Sequence, residues 1–123
     1  MRENDFRRMA LGMDGAVEGA HMGHPDFRVN NRIFATLHPD RAFGGLALTP
    51  DQQERFLRAH PDAFEPASGA WGRAGATTVR LAPVQEEALG EAMTLAWQNT
   101  VNKDAPSSAR KRSAKPVRRS QRP

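Results

Sequence analysis

The run FRVNNRIFATL, residues 27 to 37, constrains the fold more than any other part of the chain. Two extended, partly apolar segments flank Asn30 and Asn31, and asparagine is among the few residues that tolerate the left-handed backbone of a tight turn. A hairpin there commits the chain to an antiparallel sheet. A two-residue Asn-Asn loop would pair Val29 with Arg32 and Phe27 with Phe34. A three-residue loop that includes Arg32 pairs Val29 with Ile33 and Phe27 with Ala35. The second gathers Phe27, Val29, Ile33, Ala35 and Leu37 on one face and is the expected register, with Arg28 and Phe34 pointing the other way.

The flanking segments supply helices and further strands. Phe6, Met9, Ala10 and Met13 repeat at i, i+3, i+4 and i+7, which predicts a helix over about 4 to 13 capped by Asn4 or Asp5. AVEGAHM reads as a short first strand ending near Gly23, and GLALT as a strand after the hairpin. Thr49, Pro50 and Gln52 form a helix start with a capping hydroxyl, a first-turn proline and a capping-box partner. That helix runs to about His60. In GAWGRAGATTVRL, residues 69 to 81, AWG reads as one arm of a second hairpin, RAG as its turn and ATTVRL as the return strand. Pro83 opens a last helix carrying Leu89, Ala92, Met93, Ala96 and Trp97 on its apolar side. The expected order is α-β-β-β-α-β-β-α, an α+β layout with helices packed on one face of an antiparallel sheet.

From Lys103 to Pro123 the apolar pattern stops. That segment holds eight basic residues and one acid, whereas residues 1 to 102 hold ten basic and thirteen acidic ones. The net charges are therefore +7 and −3, and the high pI of the whole chain belongs to the tail. The expected organisation is a domain over 1–102 followed by a disordered basic tail over 103–123. The chain has no cysteine and no tyrosine, which removes disulfides, thiolate chemistry and phenolic catalysis. With no signal-peptide pattern and no apolar run of transmembrane length, a cytoplasmic protein that does not engage membranes is expected.

Read in order, FRRMAL (6 to 11), GHPDFRVNNRIFATL (23 to 37), LTPDQQERFL (48 to 57), PASGAWGRAGATTVRL (66 to 81) and EALGEAMTLAW (87 to 97) resemble the MmcQ/YjbR-like family. The resemblance spans residues 5 to about 101 and excludes the tail. It implies a frataxin-like (CyaY-like) α+β fold with two hairpins forming a double wing, and a DNA-binding role. Many members carry tryptophan where this chain has Ala76. Iron binding of the frataxin kind would need a row of carboxylates. The first helix instead intersperses Glu3, Asp5 and Asp14 with Arg2, Arg7 and Arg8, so no iron site is expected.

Catalytic chemistry finds little material. His21 and His24 form an H-x-x-H pair, but in a strand-to-turn context their side chains are expected to diverge, and no metal or other cofactor is expected. His38 and His60 each precede proline and read as structural. Ser68 sits in a turn without a nucleophile motif, so a non-enzymatic protein is expected. Gly72 and Gly75 read as backbone bends. The arginines remain: Arg28 and Arg32 at the first hairpin, Arg73 at the tip of the second and Arg80 on its return strand, where guanidinium forks suit phosphates. Trp71 is expected to cover the core edge, with base stacking as its functional alternative. In the tail, Arg110, Lys111, Arg112, Lys115, Arg118 and Arg119 would attract DNA without sequence preference. The expected function is thus a small nucleic-acid-associated protein. Its alternative is a protein-interaction scaffold using an acidic helix face at Glu86, Glu87 and Glu91, and a weaker third reading is a small-ligand pocket between sheet and helices.

Overall fold

The computed structural model of the chain describes residues 1–40 and 42–103. The tail cations from Arg110 to Arg119 lie outside the described residues. Lys103, counted above with the tail, is the last residue of the final helix.

Local signals set most elements. Helix α1, Glu3–Leu11, starts one residue earlier than expected and is shorter. Asn4 and Asp5 lie inside it, and the Asp5 carboxylate accepts the Arg2 backbone N–H at 2.9 Å, closing the first turn from within. Strand β1, Val17–His21, is joined to β2, His24–Val29, by Met22 and Gly23. Both turn residues have positive φ, 51° and 84°, the pairing that a two-residue hairpin needs. Strands β3, Arg32–Leu37, and β4, Phe43–Ala47, complete a four-strand meander. Helix α2, Pro50–Ala59, begins as its sequence dictates. The Thr49 hydroxyl accepts the Gln52 N–H at 3.2 Å, and the Gln52 side chain accepts the Thr49 N–H at 3.0 Å.

Next come β5, Phe64–Pro66, α3, Gly69–Arg73, β6, Ala76–Arg80, and α4, Glu86–Lys103. The expected order is therefore corrected in two places. Four strands precede α2 rather than three, because the short first strand, both arms of the Asn30–Asn31 hairpin and the segment before α2 each form a separate strand. AWG is not a strand but part of the one-turn helix α3, and the arm that pairs with β6 is β5, through Phe64 with Val79 and Pro66 with Thr77. Ala67 donates its N–H to Ala76 O at 2.9 Å and closes that ladder. The segment beyond it is too long for a tight turn and coils into α3. Helix α4 starts three residues after Pro83, leaving Val84 buried in the loop before it.

The strands form one antiparallel sheet in the order β1-β2-β3-β4-β6-β5. The first hairpin departs from the expected register. Asn30 and Asn31 both have positive φ, 54° and 65°, so the loop has two residues and Val29 pairs with Arg32. Arg28 then pairs with Ile33, while Phe27 pairs with Ala35, as expected. The offset is a bulge that adds Phe34 to β3, opposite Phe27. A bulge lets two successive residues face one partner. Phe34 and Ala35 are accordingly both buried and Ile33 is 39% exposed, the reverse of the expected Ile33 and Phe34 placements.

One face of the sheet carries the core. Leu37, Gly44, Val79 and Phe64 form one cross-strand row on it, and Phe27, Ala35, Leu46 and Thr77 the next. α1 lies close against this face: a Cβ on Gly44 would stand 2.5 Å from the Phe6 ring. Phe56 of α2 packs on Phe64 with ring centres 5.1 Å apart. α4 contributes Leu89, Ala92, Met93 and Ala96 to the same core. Asn99 ties it to the rest, donating to Ala47 O at 2.9 Å and to the Gln52 side chain at 2.8 Å. The three longer helices thus share one face, and among the described residues none of them lies on the other.

Candidate functional site

The register shows where each candidate arginine goes. The Asn30–Asn31 turn marks one end of the sheet. Leu46 pairs with Ala35 and Ala47 with Ala76, so the C-terminal end of β4 and the start of β6 lie toward that same end. α3, just before β6, is there too. So is the end of α4, since Asn99 reaches Ala47 O. Arg28, Arg32, Trp71, Arg73 and the last described residue, Lys103, are therefore brought to one end of the sheet. Arg80 is not: it pairs across the sheet with Phe43, toward the opposite end.

Arg28 and Arg80 are held in ion pairs with carboxylates. Arg80 is held by the Glu65 carboxylate and by Asp62 O. Arg28 makes a two-pronged contact with Asp26, Nε to Oδ1 at 2.8 Å and one terminal nitrogen to Oδ2 at 3.0 Å. Arg32 and Arg73 are exposed at the tips of their elements. Trp71, expected over the core edge, is instead 78% exposed. Its place in the middle of α3 turns the indole away from the sheet, while Gly72 occupies the inward position that has no room for a side chain.

On the other face of the sheet, sequence reasoning missed a cluster. Asp26 and Arg28 alternate onto the same face of β2, and His21 of β1 lies diagonally across from Asp26. The Asp26 carboxylate is fully buried although no helix covers it. Arg28 and His21, whose Nδ1 lies 2.7 Å from Oδ2, enclose it. The residue directly opposite Asp26 is Gly19, where a Cβ would stand 3.0 Å from Oδ1 and 3.4 Å from Arg28 Nε. The missing side chain is what makes room for the ion pair. The Arg28 guanidinium, and after it the His21 bond, hold the Asp26 carboxyl below the usual carboxylate range against the opposing effect of burial, and Arg28 is raised in return.

Removing the carboxylate strands two donors, so Asp26→Ala is expected to cost about 2 kcal/mol at neutral pH. Because the folded-state pKa is depressed, this contribution is present above the ordinary carboxyl value and is lost as pH falls through the lowered one. The stability gap between wild type and Asp26→Ala, read by urea denaturation, should therefore close below about pH 4. A gap that is unchanged in acid would show that the carboxylate acts through packing alone.

His21 and His24, expected to diverge, face each other across the two-residue turn as a cross-strand pair, with ring centres 4.5 Å apart. Of the acidic α4 residues, Glu91 is engaged by Arg55 at 3.1 Å, and Glu86 and Glu87 sit exposed in the first turn, where the helix dipole favours them. A concavity of about 470 Å³ opens beside the start of α1, lined in part by Met1, Arg2 and Leu81. It touches none of the four candidate arginines and does not run between sheet and helices. No helix among the described residues is long and apolar enough to cross a membrane.

The fold is similar to that of a Deinococcus radiodurans protein with a DUF419 domain, at a TM-score of 0.72 and 22% identity over 92% of this chain and 88% of that one. A protein from Pseudomonas syringae is similar at a TM-score of 0.66 and 16% identity, over 81% of this chain and 99% of the other. No curated protein matches the chain. The model of the YjbR family matches residues 11–99, which cover the whole sheet, α2, α3 and most of α4, and the chain belongs to the YjbR family.

Proposed function

We propose that this protein is a small, non-enzymatic nucleic-acid-associated protein that binds duplex DNA through its phosphates. One end of the sheet positions the domain, and the basic tail supplies most of the affinity. The observation that carries this reading is convergence: the β2–β3 tip, α3 with Trp71 and Arg73, and the C-terminal end of α4 all lie toward one end of the sheet. In the sequence, eight cations follow from Lys103 to Arg122.

In this reading the architecture is a frataxin-like double wing. The β2–β3 hairpin is the first wing and the antiparallel β5–β6 pair, tipped by α3, is the second. Both tips point the same way, as two wings straddling one duplex require. Arg32 and Arg73 are the phosphate contacts of the domain, and Trp71 offers an exposed face for a base at a frayed or single-stranded site. Arg28 contributes less because Asp26 holds it down on the sheet face, and Arg80 because it lies toward the opposite end of the sheet.

The test is salt-dependent binding of duplex DNA by full-length protein, by residues 1–103 and by the Arg32→Glu/Arg73→Glu variant of each. Each phosphate neutralised contributes about −0.9 to the slope of log K against log salt, so full engagement of the tail gives up to roughly −7. The tail should carry more than half of the slope. Residues 1–103 should keep weaker, sequence-independent binding that the double reversal removes without unfolding the domain. Tight binding by the tail-less, doubly reversed protein would overturn the assignment. Absence of any salt-dependent binding by the full chain would favour the scaffold reading, with Glu86 and Glu87 as its contact face.

A further inference from the structure

The two histidines of the β1–β2 turn are arranged in a way that DNA binding does not use. His21 and His24 flank the Met22–Gly23 turn as a cross-strand pair, and their rings lie 4.5 Å apart, centre to centre, with planes tilted by 58°. Each ring is anchored through Nδ1. That of His24 lies 2.8 Å from Leu37 O, and that of His21 lies 2.7 Å from Asp26 Oδ2.

These partners decide the tautomers. A backbone carbonyl can only accept a hydrogen bond, so His24 Nδ1 must donate. Both Asp26 oxygens already accept hydrogen bonds from Arg28, so Oδ2 is an acceptor too and His21 Nδ1 must donate. In the neutral rings both Nε2 atoms are then left with an unshared lone pair. Two adjacent imidazoles, each with one nitrogen hydrogen-bonded to a carboxylate or carbonyl and the other free, have the outer-shell arrangement by which metal-bound histidines are oriented.

We propose that His21 and His24 form a two-nitrogen chelating site for a divalent transition cation of the Zn²⁺, Ni²⁺ or Cu²⁺ type, bound through both Nε2 atoms.

The distances and ligand chemistry suit such an ion. Nitrogens that each lie ~2.0–2.1 Å from one ion place imidazole centres within ~6.5 Å of each other, and these rings are closer than that. Imidazole favours zinc, nickel and copper over the hard cations that prefer oxygen. Access is open: Met22 between the histidines is 91% exposed, and nothing stands within 4 Å of where a Cβ on Gly23 would lie. Among the described residues no group of three or more His, Cys, Asp or Glu side chains could hold a metal ion. The protein thus supplies two ligands, and water or another donor completes the coordination. Asp26 is a positioning residue that orients His21 and does not itself reach the ion.

The test uses the full-length chain and the metal salts themselves, titrated against a chromogenic chelator, with imidazole nitrogen resonances followed by NMR. One Zn²⁺ or Cu²⁺ per chain is expected, with the Nε2 signals of His21 and His24 shifted or broadened together. His21→Gln and His24→Gln should each weaken binding at least tenfold, and the double variant should abolish it. His38→Gln/His60→Gln should bind as wild type does. Should His24→Gln fail to fold through loss of its bond to Leu37 O, His21→Gln keeps that bond and carries the test. Binding that survives the double variant, or resonances of the two rings that do not respond to metal, would overturn the proposal.

Discussion

Gly75→Ala is expected to lower the unfolding free energy by about 4 kcal/mol and the melting temperature by roughly 15 °C or more. Two effects add. Gly75 has φ of 115°, a conformation in which an L side chain is strained. A Cβ there would also overlap Leu48 O and stand 2.7 Å from the Thr49 carbonyl carbon. Those atoms cannot retreat, because Leu48 and Thr49 lead into α2 and Thr49 caps it. Gln53 of α2 holds the same junction from the other side, donating to Gly72 O and Ala76 O, each at 2.9 Å. The α3–β6 junction is thereby clamped to the start of α2, and strain at Gly75 is transmitted to both. Urea denaturation of the variant checks this. A loss under about 1 kcal/mol, together with altered DNA affinity, would instead make the glycine loop a ligand contact.

Phe34→Ala should cost about 3–5 kcal/mol, the range for truncating a fully buried phenylalanine, whereas Ile33→Ala should cost about 1 kcal/mol or less. The two side chains are neighbours in a single strand, and the three-residue-loop register would predict the opposite ranking. The contrast therefore distinguishes the two-residue Asn30–Asn31 turn from that register. Paired unfolding curves under one denaturant are sufficient. Equal losses at the two positions would mean that the hairpin interconverts between registers and that neither face of β3 is stably specified.

The bulge also shows where sequence reasoning reaches its limit. Asn30 and Asn31 announce the turn because their own backbone preferences make it, and the capping box at Thr49 and Gln52 announces α2 for the same reason: partners three residues apart find each other in any context. Phe27 opposite Ala35 follows from the apolar alternation. Whether the extra residue needed to reach that pairing goes into the loop or into the strand is not a local matter. It depends on which of Ile33 and Phe34 fills the space against the helices, and the larger ring is the one buried. α3 is a similar case. The glycines of GAWGRAG bend the chain equally well around a hairpin turn or a helical one, and the reach from β5 to β6 decides between them.

The candidate site divides along the same line. The hairpin arginines and the tail cations are visible as residue types, and the alternation along β2 already puts Asp26 and Arg28 on one face. Which arginines are neutralised depends on partners from elsewhere in the chain. Arg80 meets Glu65 only because β5 lies at the edge beside β6, and Asp26 is enclosed by His21 only because β1 returns beside β2 with Gly19 opposite it. The spacing H-x-x-H says nothing of whether the rings converge. Met22, in a left-handed conformation uncommon for its side chain, closes the two-residue turn that brings them together. By itself the sequence determined the antiparallel α+β class, the capped start of α2, the core periodicity and the separation of an acidic body from a basic tail, because each rests on short-range preference or on composition. Only the tertiary structure decided the strand register, the exposure of Trp71, the pairing of the arginines and the meeting of His21 with His24, because each is a contact between segments whose approach is fixed by how the whole sheet packs against its helices.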